Sequence, residues 1–358
     1  MNRLQLLSLT ALAALATART AHADNVELRI ATLAPSGSPW METLDKANAE
    51  VKTKTGGHVG LKYFEGGQQG DEKDFVRKIK LGQLDGAAVT SIGLAMIDES
   101  IRVLELPMMF ETAEEVDYVA DKMWPYFQKK FEKKGFRLQD RGEVGWVYFL
   151  STAKVESIHD LKGQKLWMWG DDQLVGAMFK KLALNGVPLG VPEVDAALTS
   201  GKINACYGSP VAAVALQWYS KVKFMTSMPM SFAIGATVVS LDALKKISPE
   251  DQKIVEDVSK TWSKKLRKVI RKANDDARAT MTRKGVTVVQ TPVAMVDEFT
   301  KQSKESWTEL AGKIYSKDEL DMVLKYRDDY RAKHKPAGAT PAPAAPAAAT
   351  PAPAPTKK

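Results

Sequence analysis

Residues 155–210 read VESIHDLKGQKLWMWGDDQLVGAMFKKLALNGVPLGVPEVDAALTSGKINACYGSP, and this stretch decides the fold. Asp160-Leu161-Lys162-Gly163 is a turn, and the apolar run from Gln164 to Trp169 behind it is a strand signal. Asp171 or Asp172 is placed to cap a helix whose apolar face is Leu174, Val175, Met178, Phe179 and Leu182. Asn185-Gly186 stops it. Pro192 opens a second helix that ends at Gly201, and Ile203 to Tyr207 reads as another strand. Strand, helix, helix, strand at this spacing is a parallel α/β unit. Ligands of such sheets sit beyond the carboxyl ends of the strands, where Trp167, Trp169, Tyr207 and Ser209 stand.

The N-terminal half has the same grammar. Val26 to Leu33 is a strand, and Ala34-Pro35-Ser36-Gly37-Ser38-Pro39-Trp40 leads into a helix that Gly56-Gly57 ends. Val59 to Phe64 alternates as a second strand. The Gly-rich loop 65–70 then runs to Asp71, which caps the helix from Glu72 to Leu81. That loop lacks the Gly-Lys-Ser/Thr ending of a phosphate loop, so it reads as a tight turn. Ala87 to Thr90 completes β-α-β-α-β, the opening of a parallel sheet. Phe136 to Gln139 and Val144 to Ser151 read as two strands, the second crossing between domains. Ser231 to Leu241 returns as a long apolar strand. Ser248-Pro249-Glu250-Asp251 starts a helix that runs to Gly285, about 50 Å at 1.5 Å per residue. Val286 to Val289 is a strand, and two helices follow, 293–315 and 317–333.

Several of these motifs, in this order, resemble the substrate-binding proteins of TRAP transporters, the DctP type, over roughly residues 26–331. They are Gly70-Asp71-Glu72 with Gly82 and Leu84-Asp85, and Leu104-Glu105-Leu106-Pro107 with Phe110. Asp160-Leu161-Lys162-Gly163 with Lys165-Leu166 follows, then Glu193-Val194 with Ala197-Leu198 and Gly201. The resemblance implies a two-lobed, periplasmic-binding-protein-like α/β fold with crossing strands and a long bracing helix. The division expected is residues 24–144 plus 234–272 as lobe I and 145–233 plus 273–333 as lobe II. The function implied is capture of a small organic ligand between the lobes and delivery to TRAP-type integral membrane permease subunits, driven by an ion gradient. A single copy without cofactor is expected to do this. In the family two arginines fork onto a substrate carboxylate. The matching positions are Val147 and Trp167, so the clamp is missing. Trp40 and Trp146 fall at positions that resemble cleft positions, beside Trp167, Trp169, Tyr207 and Ser209. These residues imply a ligand with a flat or apolar body, or a cation over a ring, and not a simple dicarboxylate. Two alternatives stay open. Arg141 or Lys165 restores carboxylate binding, or the protein senses a ligand without transporting it.

Composition narrows the classes further. The formal net charge of the 358 residues is +8, but the lysines are interleaved with acids, and no nucleic-acid motif accompanies them. Cys206 is the one cysteine, and His58, His159 and His334 are scattered without metal-ligand spacing. No G-x-S-x-G or H-E-x-x-H motif is present, and no base accompanies Ser209, so the chain does not read as an enzyme. From residue 334 the chain is a Pro/Ala-rich tail expected to stay extended and disordered. Arg3, the apolar run Leu4 to Ala16 and Ala21-His22-Ala23 form a signal peptide of residues 1–23, implying export to the periplasm. Intact-mass measurement of the exported protein is expected to place Asp24 first; a retained leader or a lipid adduct would contradict this reading.

Overall fold

From β1 (Val26–Thr32) the chain alternates through α1 (Pro39–Lys54), β2 (Val59–Phe64), α2 (Glu72–Lys80) and β3 (Gly86–Thr90). The short α3 (Ser91–Ala95), a 3₁₀ turn over Glu99–Glu105 and α4 (Ala113–Lys133) precede β4 (Phe136–Ser151). Next come α5 (Ile158–Lys162), β5 (Leu166–Trp169), α6 (Gln173–Lys181), β6 (Gly186–Leu189), α7 (Val194–Thr199), β7 (Ala205–Gly208) and α8 (Pro210–Ala215). Then β8 (Phe224–Thr226), β9 (Ser231–Ser240), α9 (Leu241–Leu244), α10 (Pro249–Arg283), β10 (Thr287–Val289), α11 (Val293–Leu310) and α12 (Lys317–Lys333) end the fold. This computed structural model describes residues 25–170 and 172–334; the leader and nearly all of the tail lie outside them.

The helix starts follow from local chemistry. Ser38, Thr112 and Ser248 accept from backbone N–H groups of the first turns of α1, α4 and α10, with proline at the head of α1 and α10. Asp71 makes a capping box with Asp74. At α6 the cap is Asp172.

The strands run β2-β1-β3-β9-β4-β7-β5-β6, with β8 and β10 branching from β4. The two lobes are joined by β4, β9 and α10, and β4 serves both halves of the sheet. Between Phe136 and Val147, β4 pairs with β9, and over its last four residues it pairs with β7 and β8. Two strands were expected here, but the chain makes one of 16 residues. It stays continuous because register shifts between Leu138 and Arg141, and between Glu143 and Gly145, absorb the bend. Gly145 sits at φ +106°, where a Cβ would lie 2.5 Å from Asn274 Nδ2. Asn274 on α10 donates to Val144 O and accepts from Val211 N, so the helix is tied to the crossing strand and to α8 at one point.

The sequence carries no strand signal for β6, because Gly186 and Pro188 disguise four residues that pair in parallel with β5. One further expectation is corrected. Residues 273–333 were expected to stay with lobe II, yet α12 packs on α4 and the 3₁₀ turn Glu99–Glu105. Leu320 and Val323 join the core of Phe75, Val119, Phe127 and Leu138, and Lys130 pairs with Glu319 at 2.8 Å. The second core gathers Phe149, Leu166, Trp167, Ile203, Cys206 and Phe299. Burial lifts the Cys206 thiol above its usual range.

Gly145→Ala is expected to destabilise the protein by about 1–3 kcal/mol, from a forced left-handed backbone and the displaced Asn274. Urea unfolding checks this, and an unchanged midpoint would show that the bulge tolerates a side chain.

Candidate functional site

A cavity of about 290 Å³ lies where the carboxyl ends of the parallel strands of both lobes meet. Trp40, Val147, Trp167, Trp169, Tyr207 and Ser209 all line it. Trp146 does not. Alternation along β4 turns it away from the side Val147 faces, and it packs edge-on against Phe232, its partner across the ladder, at 5.0 Å. That expectation is corrected.

The aromatic wall is built on β5 and β7. Trp167 and Trp169 share one face of β5, with ring centroids 5.8 Å apart. Tyr207 stacks on Trp167 at 4.8 Å and 25°, and Trp218 meets Trp167 edge-on at 5.4 Å. The indole N–H of Trp167 donates to Leu189 O at 3.0 Å, that of Trp169 to Asp71 Oδ2 at 2.9 Å, and that of Trp40 to Glu143 O at 3.1 Å. An indole has one donor, so these three rings offer the cavity only their faces and edges. Tyr207 accepts from Trp169 N at 3.1 Å, and Ser209 caps α8.

Arginine does reach the wall, at a position that sequence reasoning passed over. Arg102, in the 3₁₀ turn, is 5 % exposed and lines the cavity. Its Nη2 donates to both oxygens of Asp172, at 3.0 and 2.9 Å, across the two lobes. Its Nη1 donates to Glu105 Oε2 at 2.8 Å and to Ser91 Oγ. The spacing Arg102–Glu105, one helical turn inside an otherwise apolar run, was the available signal. Nothing local pointed to Asp172, seventy residues on. Asp71 is a second link, accepting from Trp169 Nε1 and, at 3.4 Å, from Val191 N.

Arg141 and Lys165 do not supply the missing clamp. Arg141 is buried against Asp117 and Glu143 outside the cavity wall. Lys165 is exposed, its Nζ donating to Gly201 O. Glu72, 1 % exposed, stands at the cavity edge and accepts from Thr90 N, Thr90 Oγ1 and Gly93 N. Among the described residues no cluster of three or more metal-ligating side chains occurs, and no helix is long and apolar enough to cross a membrane.

The profile of the bacterial extracellular solute-binding proteins, family 7 (DctP), matches residues 30–315. An uncharacterized protein of Salmonella typhimurium, YiiZ, is 26% identical over 264 residues, 69% of this chain and 78% of that protein. Among solved structures, a TRAP periplasmic solute-binding protein from a Bradyrhizobium species, in complex with α/β-D-galacturonate, is 25% identical. It superposes with a TM-score of 0.78 over 85% of this chain and 100% of that one. The sugar acid binding protein of Advenella mimigardefordensis, in complex with galactonate, is 18% identical, with a TM-score of 0.81 over 86% and 99%.

Burial pushes the Glu72 carboxyl up to about 8, against the bonds from Thr90 and Gly93. In the unfolded chain it titrates near 4.3. The folded state therefore holds one more proton between these values, and its contribution to stability falls as pH rises through that window. Glu72→Gln is expected to flatten the decline in melting temperature between about pH 5 and pH 8. An unaltered slope, whatever the absolute melting temperature, would show that Glu72 is ionised in the fold.

Proposed function

Since the chain belongs to family 7 of the bacterial extracellular solute-binding proteins, a family of TRAP periplasmic receptors and not of enzymes, we propose that its cavity captures a small organic molecule with a flat, apolar or cationic body. The closed lobes would then deliver it to a TRAP-type membrane permease. The observation that carries the ligand class is the commitment of donors. Val147 and Trp167 stand where the family resemblance expects arginines, and the indole N–H groups of Trp40, Trp167 and Trp169 are already bonded to protein oxygens. Arg102 carries two carboxylates of its own. A ligand carboxylate would lose water and find no free cation among the described residues of the wall, at a cost of several kcal/mol. Ring faces offer roughly 1 kcal/mol for each stacked or cation–π contact instead.

The same reading gives the lobes a hinge. Boundaries at residues 144–145, 233–234 and 272–273 would put that hinge at the Gly145 bulge, with Ala233 paired to it and Asn274 bonded beside it. Both lobes come from one chain, so one copy is enough for capture. Export with removal of residues 1–23 accords with a periplasmic role.

The similar receptors solved with galacturonate and galactonate support a second reading, a carboxylate receptor. Calorimetry on the wild-type protein separates the two. An uncharged aromatic or an aromatic cation is expected to bind at micromolar Kd, and succinate and galacturonate no better than millimolar. Micromolar binding of either acid would make the carboxylate reading the correct one.

A further inference from the structure

Arg102 is fitted for a carboxylate and already has one. Both oxygens of Asp172 accept from the same nitrogen of Arg102, Nη2, so the acid occupies the part of the guanidinium that an acid ligand would otherwise take. Both partners are buried, with side chains 7% and 4% exposed, and both line the cavity. The ion pair therefore sits where a ligand could reach it, and not in the packed interior of a lobe. Asp172 is also held from its own side. Its Oδ1 accepts from Leu174 N at 3.0 Å and Val175 N at 3.1 Å, the first free N–H groups of α6. An incoming carboxylate would have to displace an acid that is tethered to the same molecule and satisfied by four contacts, which is a contest against a high effective concentration. The other side of the guanidinium is closed by Glu105, itself held by Ser91 Oγ and Ile234 N.

We infer that Asp172 is a specificity-determining residue: its carboxylate occupies Nη2 of Arg102 as a built-in stand-in for an acid ligand, and thereby excludes carboxylates from the cavity. This rests on the receptor reading above and adds to it the residue that does the excluding. Because Arg102 and Asp172 stand on different lobes, the same pair also lets the lobes meet without an acid ligand bridging them.

The test is Asp172→Ser. Serine still caps α6, since its hydroxyl can accept from the same N–H groups, but it is too short to occupy the guanidinium. The probes are D-galacturonate, succinate and the uncharged sugar D-galactose, each titrated calorimetrically into wild type and variant. Galacturonate or succinate is expected to bind D172S at least about tenfold more tightly than wild type, the scale of one desolvated charge pair gained, while galactose shows no gain. Asp172→Asn, which keeps the cap and the bulk but loses the charge, is expected to give a smaller gain for the acids. It serves in place of D172S should a melt show that D172S is unfolded. Equal affinities of wild type and variant for the acids, or an equal gain for galactose, would overturn the assignment. These outcomes are separate from the fate of the receptor reading. That reading fails if wild type itself binds an acid at micromolar Kd, and the role of Asp172 is still decided by the ratio between variant and wild type.

Discussion

A strand that has to serve two sheets cannot stay regular along its whole length. β4 gives its first three-quarters to β9 and its last four residues to β7 and β8. Each handover changes the direction in which N–H and C=O groups must point. The chain meets this with two register shifts and one glycine in the left-handed region. The position of Val147 in the cavity and of Trp146 outside it follows from that glycine, because a bulge reassigns which side chain faces which side. The aromatic wall, the crossing of α10 and the angle between the lobes all depend on where β4 bends.

The second constraint is electrostatic. Buried donors and acceptors must find partners, and the indole and guanidinium groups of the cavity wall find them within the protein. Indole N–H groups meet backbone or carboxylate oxygens, and Arg102 meets Asp172 and Glu105. What remains for a solute is mostly carbon and π surface. Receptors with similar folds hold sugar acids, and a fold does not by itself fix a ligand. Chemistry is set by a few side chains on the rims of the strands, and a conserved architecture does not carry it over.

Much of this was legible in the residues. The alternation of apolar runs, Ser-Pro and Asp caps, and Gly stops located most strands and helices, because these signals are local and periodic. Trp167 and Trp169 share one face of β5 because they stand two residues apart, a parity that is written in the sequence. The failures share a cause. β6 is short and contains glycine and proline, so its pairing with β5 had to be seen to be known. The continuity of β4 depends on bulges, which have no reliable local signature. The return of α12 to α4, and the meeting of Arg102 with Asp172, depend on contacts between distant parts of the chain. A single sequence records the amphipathic face of a helix but not what covers it.

The helix α10 limits how such a molecule can move. Its 35 residues form a rod about 52 Å long. Trp262 on it is bonded to Glu50, Asn274 to the crossing strand, and Met281 is set in the second core. A helix neither stretches nor shortens cheaply, since every change of length breaks backbone bonds. Translation of one lobe along this rod would break these ties, whereas rotation about the bulge would keep them. Under the proposed hinge the lobes would work as a pair of jaws on a fixed axle: a solute would arrive and leave by an arc, and a small twist near Gly145 would become a large displacement at the lips.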